Sequence, residues 1–263
     1  MTTQTTTGPL HGATALITGA SSGIGEACAH ALGDAGARLL LCARRVVRLE
    51  RLAADLRARG IETHLFQLDV RDRGGVDEAI GTLPDAWRAI DILVNNAGLS
   101  RGLDAIQEGS LDDWEEMIDT NVKGLLYVTR AVVPRMVERG RGHVVNIGSI
   151  AGHEVYPKGN VYCGTKHAVR ALTRGMQIDL NGTGVRVTTV DPGMVESEFS
   201  VVRFHGDQER AASVYKGVTP LAPSDVADAV VYCVTRPAHV NIHEMLLMPT
   251  DQATSTIVNR RST

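Results

Sequence analysis

The chain lacks a charge excess of either sign. Its 27 lysines and arginines stand against 30 aspartates and glutamates, a net charge of −3 over 263 residues. No bulk electrostatic attraction therefore draws it to nucleic acid or to an anionic membrane. Paired cysteine spacing is also missing. Cys28, Cys42, Cys163 and Cys233 are scattered without a CxxC, which fits unpaired thiols in a reducing cytoplasm. No apolar run approaches the roughly 18–20 residues of a membrane span. The opening MTTQTTTGPLHG has neither the basic start nor the apolar stretch of a secretion signal, and residues 1–11 read as a flexible tail. The sequon at Asn181, Gly182 and Thr183 then carries no glycosylation argument. Internal repeats and linker-like composition are absent too. The expectation is one cytoplasmic globular domain over residues 12–250, with a C-terminal tail at 251–263.

What is present is alternation. With 43% hydrophobic residues, the chain can fill one large core. ATALIT (13–18), RLLLCA (38–43), THLFQLDV (63–70), DILVNNAG (91–98), HVVNIGS (143–149), VRVTTVDPG (185–193) and EMLLMP (244–249) read as strands, and helical patterns separate them, notably at 23–35, 46–60, 111–139 and 161–180. Strands that are apolar throughout and divided by helices imply an α/β fold, a seven-stranded parallel sheet covered by helices on both faces. Residues 194–222 form the one long connection, and a long loop in a compact domain is usually a lid or a binding element.

The first strand runs into LITGASSGIGEA, which opens the first helix. Gly19 permits a tight turn, Gly23 allows close approach of the backbone to a phosphate, and Gly25 lets helix and sheet pack. Ile24 belongs to the same loop, whose helix N-terminus points free N–H groups at a pyrophosphate. The second strand ends in CARR. An acid there would take the ribose 2′-hydroxyl of NAD, but Arg44 and Arg45 stand in its place, and guanidinium forks suit the 2′-phosphate of NADP. Ser21 and Ser22 add hydroxyl donors. The expected cofactor is NADP(H).

In VYCGTKHAVR, Tyr162 precedes Lys166 by four residues, one turn apart on a single helix face. TGASSGIG (18–25), NNAG (95–98), a serine at 149 thirteen residues before YCGTK (162–166), and DPG (191–193) occur in that order. Together they resemble the short-chain dehydrogenase/reductase family, from about residue 12 to residue 249. The resemblance implies a single-domain Rossmann fold and a catalytic set of Asn121, Ser149, Tyr162 and Lys166. Tyr162 is then the general acid or base, Ser149 binds the substrate oxygen, and Asn121 holds a water linking Lys166 to solvent. Lys166 binds the nicotinamide ribose. At ~4 Å and an effective dielectric of ~20, its charge is worth roughly 4 kcal/mol, or about three pKa units, on the phenol, against which burial would work. Asp69 and Val70 resemble the adenine-contacting pair. Asn95, Ala97 and Gly98 resemble residues lining the adenosine ribose and supporting the sheet, and Pro192 and Gly193 resemble the nicotinamide-side turn.

EFSVVRFHGD (198–207), PSDVADAV (223–230) and RPAHVNI (236–242) also resemble the NADP-dependent 3-hydroxy acid (serine or allo-threonine type) branch of that family, which implies a small alcohol or carbonyl substrate. Arg203 is a candidate for its carboxylate. His153 and Glu154 are expected on the opposite wall, where Glu154 would repel an anion and favour a larger neutral ketone or aldehyde. A dinucleotide sensor without catalysis is the reading from another class, but a sensor has no need of the four catalytic residues together. His239, His243 and Glu244 lack HExxH spacing on a helix, so no metal is expected. Helices 111–139 and 161–180 carry more apolar positions than one buried face needs, among them Gly124, Leu125, Val128, Ala131, Val132, Ala168, Ala171 and Leu172. The excess implies a homo-oligomer, a tetramer or a dimer.

Overall fold

Apolar runs without alternation become the strands of one sheet because both of their faces are covered. The computed structural model of the protein describes residues 8–261. Its strands are β1 (Thr14–Thr18), β2 (Arg38–Ala43), β3 (Thr63–Gln67), β4 (Ile92–Asn95), β5 (Gly142–Ile147), β6 (Val185–Pro192) and β7 (Glu244–Leu247). They lie in the order β3-β2-β1-β4-β5-β6-β7, and every pair is parallel. Alternate residues supply two cores. Ile17, Leu39, Leu41 and Val94 face α1 (Gly23–Asp34), α2 (Val46–Ala58) and α9 (Pro223–Val234). Leu16, Leu40, Leu93 and Val144 face α3 (Arg73–Gly81) and α5 (Leu125–Glu138). Each buried leucine contributes on the order of 2 kcal/mol through area removed from water.

Strands β3 and β4 stop short of the expected ends. Residues 68–70 and 96–98 are loops, since the chain must leave the sheet there to open a crevice above it. The helix expected over 111–139 is α4 (Leu111–Ile118) and α5, joined by a wider π-type turn at Asp119–Gly124. Such turns redirect side chains and gather at functional positions; this one carries Asn121. Helix α6 (Asn160–Asp179) starts one residue earlier than expected. The segment 194–222 holds two short helices, α7 (Phe199–Arg203) and α8 (Gln208–Ser213), and a bridge between Val195 and Leu221 closes its base.

Two tails need correction. Residues 1–7 lie outside the described residues, but Leu10 is buried and its N–H bonds Ala35 O at 2.9 Å, so residues 8–11 cap the end of α1. The expected C-terminal tail is built into the fold. Asp251 and Gln252 are buried, and Gln252 Oε1 accepts from Met194 N at 2.8 Å. Asp251 accepts from Thr219 N at 2.9 Å. No helix among the described residues is long and apolar enough to cross a membrane.

Candidate active site

The C-terminal ends of the strands open onto a cavity of about 320 Å³. It lies where the strand order reverses between β1 and β4, the place at which open α/β sheets leave a crevice. The glycine loop forms one wall. Gly19 has φ +65° and Gly23 φ +55°, a left-handed conformation that glycine adopts without cost. A Cβ on Gly25 would meet Asn96 Nδ2 and Gly19 O at 2.5 Å, so Gly25 serves helix packing and does not line the cavity. Thr18 ties this wall to the next one: its Oγ1 accepts from Asn96 N at 3.1 Å and Ala97 N at 3.0 Å. Ala97 and Gly98 line the cavity, as do Asp69 and Val70. Burial pushes the Asp69 carboxyl up, but Arg71 bonds it and holds it below its usual range.

A basic corner closes the far end. Arg45 donates from Nε to Ser21 Oγ at 3.2 Å, from Nη2 to Ser22 Oγ at 2.6 Å and from Nη1 to Glu198 Oε2 at 2.9 Å. Arg48 Nη1 donates to the other Glu198 oxygen at 2.5 Å. Burial raises the Glu198 carboxyl, yet Arg48 and Arg45 bring it below the usual range. Arg44 lines the cavity and lies 3.5 Å from Glu116. Arg48 follows the expected pair on what the sequence presents as a solvated helix face; its partner, 150 residues away, gave no local signal.

The floor gathers Ser149, Tyr162 and Lys166 beside Ile147, Pro192 and Gly193. Helix α6 places Tyr162 and Lys166 on its buried face, at 8% and 7% exposure. Lys166 Nζ donates to Ile147 O at 2.8 Å, and burial lowers its pKa to about 8, with Asp191 opposing. Burial raises the Tyr162 phenol, as does Tyr156, while Arg203 and the Ser149 hydroxyl act downward. The downward shift expected from Lys166 is thus not the dominant effect; desolvation of a buried phenolate outweighs the nearby cations. Asn121 stands behind the floor. Its Oδ1 accepts from Leu99 N at 2.8 Å, and its Nδ2 donates to Leu99 O at 2.8 Å and Thr165 Oγ1 at 3.0 Å. Both amide donors are therefore engaged by protein, and Asn121 pins the turn after β4 to α6.

Other expected positions fall elsewhere. Asn95 is buried below the cavity, donating to Thr129 Oγ1 at 3.0 Å and Asn146 Oδ1 at 2.9 Å; it supports the sheet and does not line the groove. Its neighbour Asn96 lines the cavity and donates to Thr18 O at 2.9 Å. His153 Nε2 is 2.7 Å from Asp191 Oδ2. Glu154 accepts from Ser255 N at 2.7 Å, so neither side chain forms the expected substrate wall. Arg203 lies behind Tyr162, 5.2 Å from its ring centroid, donating to Ser100 Oγ at 3.0 Å and Tyr156 Oη at 2.6 Å. His243 faces Arg174 at 2.9 Å and His239 is exposed. Glu244 is paired with Arg170 at 2.9 Å. Ser197, Glu198, Phe199 and Val202 reach the cavity from the lid; EFSVVRF (198–204) holds three of them as a family resemblance but marks none as a site residue.

Comparison with known proteins agrees with this geometry. A family model described as short chain dehydrogenase matches residues 13–207. The chain is 48% identical over 248 residues to the NADP-dependent 3-hydroxy acid dehydrogenase YdfG of Salmonella typhi, covering 94% of this chain and 99% of that one. It is 48% identical over 241 residues to sulfoacetaldehyde reductase 2 of Chromohalobacter salexigens, covering 91% and 95%. A solved structure, the closed form of serine dehydrogenase complexed with NADP+, superimposes with a TM-score of 0.89 at 45% identity, covering 95% of this chain and 100% of that one.

Proposed function

The chain belongs to the short-chain dehydrogenase family, and from that premise we propose that it interconverts a small alcohol and its carbonyl compound with NADP(H). The supporting observation is the meeting of Ser149, Tyr162 and Lys166 on the floor of one cavity whose far wall is the glycine loop and the arginine corner. The residues present suit the dinucleotide: a cradle at Gly19 and Gly23 with positive φ, a helix N-terminus for the pyrophosphate, and Arg44 and Arg45 for a 2′-phosphate. Relatives named for NADP add to this reading.

Bound NADP(H) supplies or accepts the hydride. In reduction, Tyr162 gives its phenolic proton to the substrate oxygen, and in oxidation it takes that proton back. The raised phenol pKa keeps Tyr162 protonated near neutrality, the state reduction requires. Ser149 donates a hydrogen bond to the same oxygen and stabilises negative charge as it develops there. Lys166 places a cation on the floor beside the ribose site, and Asn121 fixes the turn that Leu99 begins. Asp69, Val70, Ala97 and Gly98 flank the adenosine, while Pro192 and Gly193 bound the nicotinamide side.

We take the substrate to be a short 3-hydroxy acid or the matching oxo compound. In a 3-hydroxy acid and in sulfoacetaldehyde alike, one methylene separates the anionic group from the reacting carbon. Arg101 lines the cavity, and Arg203 on the lid lies 5.2 Å from the Tyr162 ring, so two guanidinium groups stand near the site an anion would occupy. Glu154 is turned away onto Ser255, which removes the repulsion that favoured a neutral ketone. A substrate panel followed by NADPH absorbance tests the reading. A 3-hydroxy acid should be turned over far better than its neutral amide. Equal turnover of acid and amide would establish the neutral-substrate alternative.

We also propose a cytoplasmic homo-oligomer, a tetramer or a dimer. Leu125, Val128 and Val132 are buried within the chain and are withdrawn from the expected interface. Leu111, Ile118, Leu126 and Ile178 stay exposed on α4, α5 and α6 and supply apolar surface for a second copy to cover. Light scattering giving a mass near the 28.2 kDa of one chain would exclude this assembly.

A further inference from the structure

We propose that Glu198 is a lid-borne competitor for the coenzyme's 2′-phosphate, which makes lid position depend on which dinucleotide is bound. The inference rests on the NADP(H) reading above and extends it to a residue outside the arginine corner. Glu198 splits its carboxylate between Arg45 at 2.9 Å and Arg48 at 2.5 Å. Arg45 also donates to Ser21 and Ser22, so the guanidinium best placed for a phosphate is already engaged by an anion. A phosphate oxygen arriving at Arg45 must either displace that carboxylate or sit beside it, and two anions sharing one guanidinium repel each other.

The carboxylate belongs to the lid. Its neighbour Ser197 packs against the glycine loop, 3.4 Å from where a Cβ on Gly23 would stand. Glu198 therefore fastens the near end of the lid across the mouth of the dinucleotide groove. The C-terminal end of α7 is held separately: Arg101 donates to Val202 O at 2.6 Å, and Arg203 bonds Ser100 and Tyr156. Displacing Glu198 loosens only the stretch between α7 and the lid's base, where Val195 bridges Leu221 and Gln252 holds Met194. A dinucleotide without the 2′-phosphate makes no claim on Arg45 and leaves the fastening in place. A 2′-phosphorylated one exchanges anions with it. Discrimination between the two coenzymes thus depends on the carboxylate as well as on the arginines.

The test is calorimetric titration of the full chain with 2′,5′-ADP and, separately, with ADP, comparing wild type with Glu198→Gln and Glu198→Asp. Wild type should bind 2′,5′-ADP more tightly than ADP. Glu198→Gln should tighten 2′,5′-ADP about tenfold, the scale of one charge-assisted contact, and leave ADP within about twofold. Glu198→Asp keeps the charge and should stay near wild type. If wild type binds both nucleotides equally, the NADP(H) reading fails. If wild type prefers 2′,5′-ADP but Glu198→Gln leaves that affinity unchanged, weakens it, or shifts both nucleotides alike, the competitor role is overturned while the coenzyme reading stands.

Discussion

Tyr162 and Lys166 stand on a helix sealed against the sheet, whereas Phe199 and Val202 reach the same cavity from a segment that rests on a small apolar cluster and is tied at its margins by polar contacts. On the floor, a buried chain of side chains ties two helices of one layer to the sheet beneath them. Thr129 on α5 meets Asn95 on β4, Asn95 meets Asn146 on β5, and Asn146 donates to Thr173 on α6 at 2.8 Å. In a low-dielectric interior such bonds are costly to break and fix one arrangement. The lid depends on Arg203, Arg101, Glu198 and the C-terminal residues, several of them partly exposed. Polar contacts that water can replace open at small free energy. The difference implies that the floor's geometry persists until the domain unfolds, while the lid opens within the folded protein.

The largest effect that tests this division is Tyr162→Phe. The substitution removes one hydroxyl from the floor and keeps the ring, which packs edge-on against Phe199 with centroids 5.5 Å apart. Turnover should fall roughly 10²–10⁴-fold, the usual worth of general acid–base catalysis. Binding of 2′,5′-ADP and amide exchange across residues 194–222 should match wild type. Retention of more than about a tenth of the activity would falsify the assignment of Tyr162 as acid and base. Altered lid exchange would show that floor and lid are not separate.

The same division decides what could be read from the sequence. The floor and the glycine wall were legible because each carries a local pattern: TGASSGIG opens a helix, Tyr162 and Lys166 are one turn apart, and continuous apolar runs mark the strands. Asn121 was placed in the right region, but the π-type turn that aims it depends on packing against Leu99 and Thr165. The lid was recognised only as a long connection. Glu198 acts through Arg48, 150 residues away, and Glu154 acts through Ser255, 101 residues away. No period or motif encodes such pairings. The tails escape the sequence for a related reason: polar stretches resemble free chain until tertiary partners such as Met194 and Thr219 are in view.

A second effect, of intermediate size, belongs to the floor's sheet and not to its chemistry. His143 on β5 is buried at 2% exposure, with Nε2 2.7 Å from Thr188 Oγ1 and no partner for Nδ1 among the described residues. Burial, with Arg186 nearby, lowers its pKa from 6.5 to about 3. Between these values the unfolded chain binds a proton that the folded chain does not, so stability is lost as pH falls below 6.5. Between pH 7 and pH 5 this residue alone should remove about 2 kcal/mol. Denaturant titrations at the two pH values should show that His143→Gln abolishes this share of the loss. An unchanged pH dependence in the variant would mean that acid attacks another part of the fold first.

The smallest effect should come from the lid's C-terminal anchor. Gln252 is buried, accepts from Met194 N at 2.8 Å and donates to Thr254 O at 3.1 Å. It therefore holds the first lid residue to the last strand's exit. Gln252→Ala leaves Met194 N without that acceptor, a loss of about 1 kcal/mol for one hydrogen bond. Because the contact lies at the lid's base, most of this loss should appear as lid opening, raising amide exchange over residues 194–222 about fivefold. Exchange in β1, β4 and β5 should not change. The Tm should move little, since the sheet and both apolar cores are untouched. KM should rise with kcat nearly constant, because the floor that performs proton transfer keeps its geometry. A fall in Tm with faster exchange throughout the sheet would instead make the C-terminal segment part of the core, and the lid would then open only when the domain does.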